Sequence, residues 1–121
     1  MPLLGTTAAN QTLNALDASG TPTNLMAFVM LHSASPGTTG ANEFSGGGYA
    51  RQACTWNAAS ASAKTNSSSL TFPNAGTTPT THFGTNSAST AGTYGVGGAW
   101  ASSVTAASIT VAAGAISIGS A

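Results

Sequence analysis

The sequence predicts a mainly β protein, a small β-sandwich or jelly-roll-like domain with a short N-terminal helix. Three observations carry that expectation. The apolar runs have strand length, turn-rich Gly, Asn, Pro and Ser segments separate them at short intervals, and 121 residues suit one modest core. A single domain is expected over residues 1–121, with the helix at about 7–17 and β structure over 25–118.

The helix is read from Ala9, Leu13 and Leu16, which recur at helical spacing. Thr6 or Thr7 is available as N-cap, and Gly20 with Pro22 follow as stop signals. Leu25 to His32 is a continuous apolar run bounded by polar residues, which marks a buried strand at the centre of the core. A long loop comes next, bracketed by Ser35-Pro36-Gly37 and Gly46-Gly47-Gly48; Pro-Gly sets a turn and successive glycines allow positive φ. From Tyr49 to Trp56 alternate residues fall on opposite faces, the period of a strand. Further strands are expected at Ser67–Phe72, Thr80–Phe83, Tyr94–Trp100, Ser103–Val111 and Ala115–Ile118. Ala58–Ser69 and Asn86–Gly92 are low in complexity and are expected to be solvated loops or contacts completed by a neighbour.

Ala, Gly, Ser and Thr account for 74 of the 121 residues, whereas Leu, Ile, Val and Phe contribute 18. Few large side chains are therefore available to offset the entropy of ordering. The four charged residues, Asp17, Glu43, Arg51 and Lys64, cancel, so copies do not repel one another. Such a surface is suited to touching neighbours, which would add the burial that the core lacks. Two cations cannot neutralise a row of phosphates, so nucleic acid is not an expected partner. Nor is a membrane: the longest apolar run, Leu25–Leu31, is far below the roughly 20 residues of a spanning helix. The first ten residues lack the basic and apolar regions of a signal peptide, and Cys54 is the sole cysteine, so synthesis in the cytoplasm is expected.

Catalysis would need a nucleophile, a base and an orienting acid, drawn from His32, His82, Asp17, Glu43 and Cys54. No spacing joins them. Asp17 and Glu43, the pair a glycosidase mechanism would require, sit in a helix end and a distant loop. Metal-ligand spacing is absent, and Gly46-Gly47-Gly48 lacks the phosphate-binding loop pattern. The expectation is a non-enzymatic protein without cofactor or metal. Glu43 and Arg51 flank the glycine turn and are expected to pair across it. Phe28, Phe44, Tyr49, Trp56, Phe72, Tyr94 and Trp100 are the aromatic candidates for core or contact roles. Among these and the charges, Phe44, Tyr49, Arg51, Glu43, Tyr94 and Trp100 are the interface candidates. Tyr94 with Trp100 is the one cluster suited to stacking on a sugar.

The segment Leu31–Trp56, LHSASPGTTGANEFSGGGYARQACTW, resembles a signature of small tailed-bacteriophage virion proteins, tail-fibre-like, minor tail or capsid-associated. The matching residues are Leu31, His32, Pro36, Gly37, Gly40, Asn42, Glu43, Gly47, Tyr49 and Arg51. Leu70-Thr71-Phe72-Pro73 and Thr81-His82-Phe83-Gly84 also match, followed by β-like segments ending at Ile116 and Ile118. Thr85-Asn86-Ser87 departs from the pattern, which has an apolar or aromatic pair and an acid there. The resemblance implies a structural protein of the virion. The first expectation is a homotrimeric capsid decoration or cement protein bridging major capsid protein subunits; the alternative is a tail-tip or tail-fibre protein that binds a host surface receptor.

Overall fold

The computed structural model describes residues 3–16, 23–73 and 76–119. In chain order its elements are β1 (Leu3–Leu4), α1 (Thr6–Leu16), β2 (Phe28–His32), β3 (Gln52–Ala53), β4 (Ala63–Thr65), β5 (Leu70–Pro73), β6 (Thr80–Asn86), β7 (Tyr94–Val104), β8 (Ser108–Val111) and β9 (Ser117–Gly119). The protein is mainly β, as expected. An antiparallel sheet of order β1-β7-β6-β2-β3 is accompanied by two antiparallel ribbons, β4-β9 and β5-β8.

The apolar run in β2 explains the layering. Successive strand residues point to opposite faces, so Val29 and Leu31 enter one side of the large sheet and Met30 and His32 the other; all four are buried. Val29 and Leu31 join Phe44, Cys54, Phe83 and Ile116 from neighbouring segments. The β5-β8 ribbon closes this layer with Leu70, Phe72, Ile109 and Val111, the buried half of an alternating pattern in each strand. This is the sandwich core. A smaller cluster, Ala8, Leu25 and Val96, joins α1 to β7, with Ile118 against it.

The opposite face is covered in a less usual way. Gly84 and Gly97 are cross-strand partners in β6 and β7. A Cβ at Gly84 would lie 2.5 Å from His32 Nε2 and 3.1 Å from the Tyr94 ring, and one at Gly97 would collide with the Tyr94 hydroxyl. The Tyr94 ring is thus inlaid over two glycines, supplying the apolar cover that their missing side chains do not. A β-bulge between Gly84 and Asn86 sets this up, and the Thr85 hydroxyl patches the ladder by accepting from Val96 N at 3.0 Å.

Several boundaries differ from the expected ones. The helix starts at Thr6, and Asp17, Gly20 and Pro22 fall outside the described residues. The first apolar strand begins at Phe28 because Leu25–Ala27 form a turn, held by Met26 N on Asn24 Oδ1. Of Tyr49–Trp56 only Gln52–Ala53 is strand; the Tyr49 and Arg51 side chains are drawn to Glu43 instead, and Trp56 makes an isolated bridge to Asn66. Ser103–Val111 is not one strand, since β7 runs to Val104 and the chain bends before β8. The solvated loop expected at Ala58–Ser69 is not found either: this stretch contains β4, and Asn66 is fully buried. Asn66 Nδ2 donates to Ser68 O and Ala112 O, and its Oδ1 accepts from Ile116 N at 2.9 Å. One amide thereby pins the C-terminal ribbon to the middle of the chain.

Candidate functional site

The loop between β2 and β3 is shaped by its own backbone. Gly40 N and Ala41 N both donate to Pro36 O, Asn42 takes φ 65°, and Asn42 Nδ2 donates to Ser35 O. Gly46, Gly47 and Gly48 then all adopt positive φ, which returns the chain so that Tyr49 and Arg51 face Glu43. Arg51 grips the Glu43 carboxylate as a fork, Nε to Oε2 at 2.8 Å and Nη2 to Oε1 at 2.9 Å. The Tyr49 hydroxyl donates to Glu43 Oε2 and accepts from Leu31 N, both at 3.0 Å. The third guanidinium nitrogen, Nη1, donates to Ala88 O at 2.9 Å and Ala91 O at 2.8 Å. One side chain therefore ties the β2-β3 loop to the β6-β7 loop.

The electrostatics follow from that geometry. Burial alone would raise the Glu43 pKa, but hydrogen bonds from Arg51 and Tyr49 outweigh it and hold the carboxyl below its usual range. The same hydrogen bond raises the Arg51 pKa, against the opposing effect of burial. Burial, with Glu43 alongside, pushes the Tyr49 phenol far up.

Beneath the clamp, His32 is 0% exposed. Its Nδ1 lies 2.8 Å from Ala41 O, which can only accept, so Nδ1 carries the proton. Nε2 and the nearby Tyr94 hydroxyl are buried without hydrogen-bond partners among the described residues. Burial lowers the His32 pKa from its usual value near 6.5; the Ala41 bond and Glu43 oppose this, while His82 and Arg51 add to it. Because the folded chain takes up this proton only at a lower pH than the unfolded chain does, stability falls as the pH drops below about 6.5. Glu43 adds a loss of the same sign further into acid, below its usual 4.5. Urea melts at pH 7, 6 and 5 are expected to show declining stability in the native protein and a nearly level series in His32→Gln. Equal slopes in the two proteins would exclude His32 as the source.

The aromatic interface candidates are mostly occupied within the chain. Phe44 and Tyr94 are buried; Phe44 meets Tyr49 edge-on at 5.8 Å, and Tyr49 stacks on Phe72 at 6.5 Å. Trp100 is half-buried, packed on Phe83 at 5.2 Å with its Nε1 donating to Thr80 Oγ1. Tyr94 contacts His32 instead, at 6.5 Å, so β7 holds the proposed sugar-stacking pair against different partners. Glu43 and Arg51 do pair across the glycine turn, as expected.

Open surface lies elsewhere. A cleft of about 550 Å³ runs between α1 and the β4-β9 ribbon, with Ala8, Leu25, Val96 and Ile118 among its lining and Trp56 and Lys64 beside them. Trp56 is anchored by Nε1 donating to Met26 O at 2.7 Å. A second cleft of about 330 Å³ separates the end of β7 from β8. No pattern in the sequence announces either cleft, because each is assembled from segments far apart along the chain.

Among the described residues no group of three or more His, Cys, Asp and Glu is placed to hold a metal ion. Burial pushes the Cys54 thiol up to about 11, which disfavours a reactive thiolate. No described helix is long and apolar enough to cross a membrane. The family described as podophage GP4 fiber I protein gp80 matches residues 4–119. The chain belongs to this gp80 family. No curated protein matches it. Membership makes it a structural protein of a tailed-phage virion and agrees with the resemblance read from Leu31–Trp56. In this gp80-family chain, that segment is the one that builds the Arg51 clamp.

Proposed function

We propose that the chain is a component of a podophage fibre and acts through contacts with other copies of itself and with other virion proteins, without catalysis. The observation that carries this reading is the match of residues 4–119 to a family described as a fiber protein. That description supports the fibre alternative over decoration of the capsid. The chemistry is compatible: Arg51 is consumed by the clamp, leaving Lys64 as the remaining cation, which is too little for a nucleic-acid surface.

Copy number in purified particles tests the proposal, measured by quantitative mass spectrometry against the major capsid protein. A fibre component is expected at a few to tens of copies. A ratio approaching that of the capsid subunit would overturn the fibre reading and return the protein to the shell.

A further inference from the structure

The 550 Å³ cleft between α1 and the β4-β9 ribbon takes no part in the Arg51 clamp. Its volume falls within the roughly 300–1,000 Å³ of small-molecule sites, which are mostly apolar with a few placed polar groups. Ala8, Leu25 and Val96 form a buried apolar cluster along it, and Ile118 packs against them from β9. Ile118 is the cross-strand partner of Lys64, so the two side chains leave the same face of the ribbon. Trp56 also lines the cleft, half-buried. Its indole N–H is already spent on Met26 O, so it offers ring surface rather than a donor.

The neutral polar side chains around the cleft are engaged too. Gln11 donates from Nε2 to Thr23 O and accepts at Oε1 from Thr23 N. Thr12 Oγ1 donates to Ala8 O at 3.0 Å, and Asn24 Oδ1 accepts from Met26 N at 3.0 Å. Lys64 differs: among the described residues its ammonium has no hydrogen bond or ion pair. A sugar, whose hydroxyls each need a partner, finds few here. A ligand with an apolar body and one anionic head finds both burial for its chain and a charge-assisted hydrogen bond at its end.

We propose that this cleft is a binding site for a single-chain amphiphile with an anionic head, of the alkyl carboxylate class. The chain lies along Leu25, Val96 and Ile118 beside the Trp56 ring, and the carboxylate accepts a hydrogen bond from Lys64 Nζ. Lys64 suits this arrangement because its methylene stem can follow the apolar wall while the ammonium stays at the rim. Charge complementarity sets the sign of the head group: Lys64 is a cation, and no carboxylate lines the cleft among the described residues. The site stands on its own lining and holds for any position of the chain in the virion.

Calorimetric titration of the full chain with monomeric dodecanoate tests it, with a dissociation constant expected on the order of 0.1 mM. Lys64→Gln is expected to bind about 10-fold more weakly, the loss of one charge-assisted hydrogen bond. Ala59 is an exposed residue of the cleft wall, and Ala59→Trp is expected to fill the space and remove measurable binding, with the melting temperature unchanged. A comparison of probes on the native chain needs no variant. Dodecyltrimethylammonium, the same chain with a cationic head, is expected to bind at least about 10-fold more weakly, and acetate and maltose not measurably. A native chain that does not bind dodecanoate, a variant that binds it as well as the native chain, equal binding of the cationic probe, or preference for maltose would overturn the proposal. The particle copy number is unaffected by these outcomes, so a failed cleft and a failed fibre reading are told apart.

Discussion

Replacing Arg51 with alanine is expected to destabilise the protein by about 3 kcal/mol, a fall in melting temperature of roughly 12 °C for a chain of this size. The size follows from what is lost together. The fork on Glu43 goes, and so do both carbonyl bonds to Ala88 and Ala91. The side chains of Arg51 and Glu43 are only 11% and 22% exposed, so the abandoned carboxylate is poorly hydrated and the pair is worth more than a surface ion pair. Arg51→Lys is expected to recover less than half the loss, because an ammonium cannot reproduce the fork and reach a second loop. A double-mutant cycle with Glu43→Gln should give a coupling of about 1–2 kcal/mol. Limited proteolysis supplies the structural readout: cleavage in both the β2-β3 and β6-β7 loops should rise together. Loss below about 1 kcal/mol, or loosening of one loop alone, would mean that the clamp does not join them.

Gly95→Ala is expected to cost more than about 3 kcal/mol, despite adding a single methyl group. Its Cβ would stand 2.5 Å from Leu25 O and 2.6 Å from Thr85 Oγ1. The first is backbone and cannot rotate away; the second is the hydroxyl that repairs the β6-β7 ladder. Gly95 O also accepts from Gly5 N, so any shift is felt at β1. Gly46→Ala is the matched comparison, with open space around the new atom and only the cost of φ 77°, about 1 kcal/mol. Chemical denaturation of the two variants should separate them by 2 kcal/mol or more. Equal midpoints would show that the Leu25 turn gives way easily.

Much of the fold was legible because the strongest cues were local. The run ending at His32, the alternation in Leu70–Phe72 and the Pro-Gly and triple-glycine turns each specify conformation from a few neighbours. The clamp was legible in outline for the same reason, since Glu43 and Arg51 are rare charges on either side of a turn. What was missed depends on distant partners. Asn66 sits in a serine-rich stretch that reads as solvated loop, and only Ala112 and Ile116, far along the chain, make it core. Phe44 and Tyr94 looked available for contact with other proteins because nothing in their immediate sequence shows the Tyr49 ring, itself stacked on Phe72, or the paired glycines that cover them. The clefts were invisible on the same grounds.

The Glu43–Arg51 pair also has a kinetic side. Two of the chain's four charged groups neutralise each other within a single knot, so little field extends beyond the surface. Encounters with any partner are then unsteered, at the roughly 10⁵–10⁶ M⁻¹s⁻¹ of neutral association, and ionic strength has little leverage on them. Any durable attachment would then depend on slow release, and so on closely packed surface rather than on attraction at a distance.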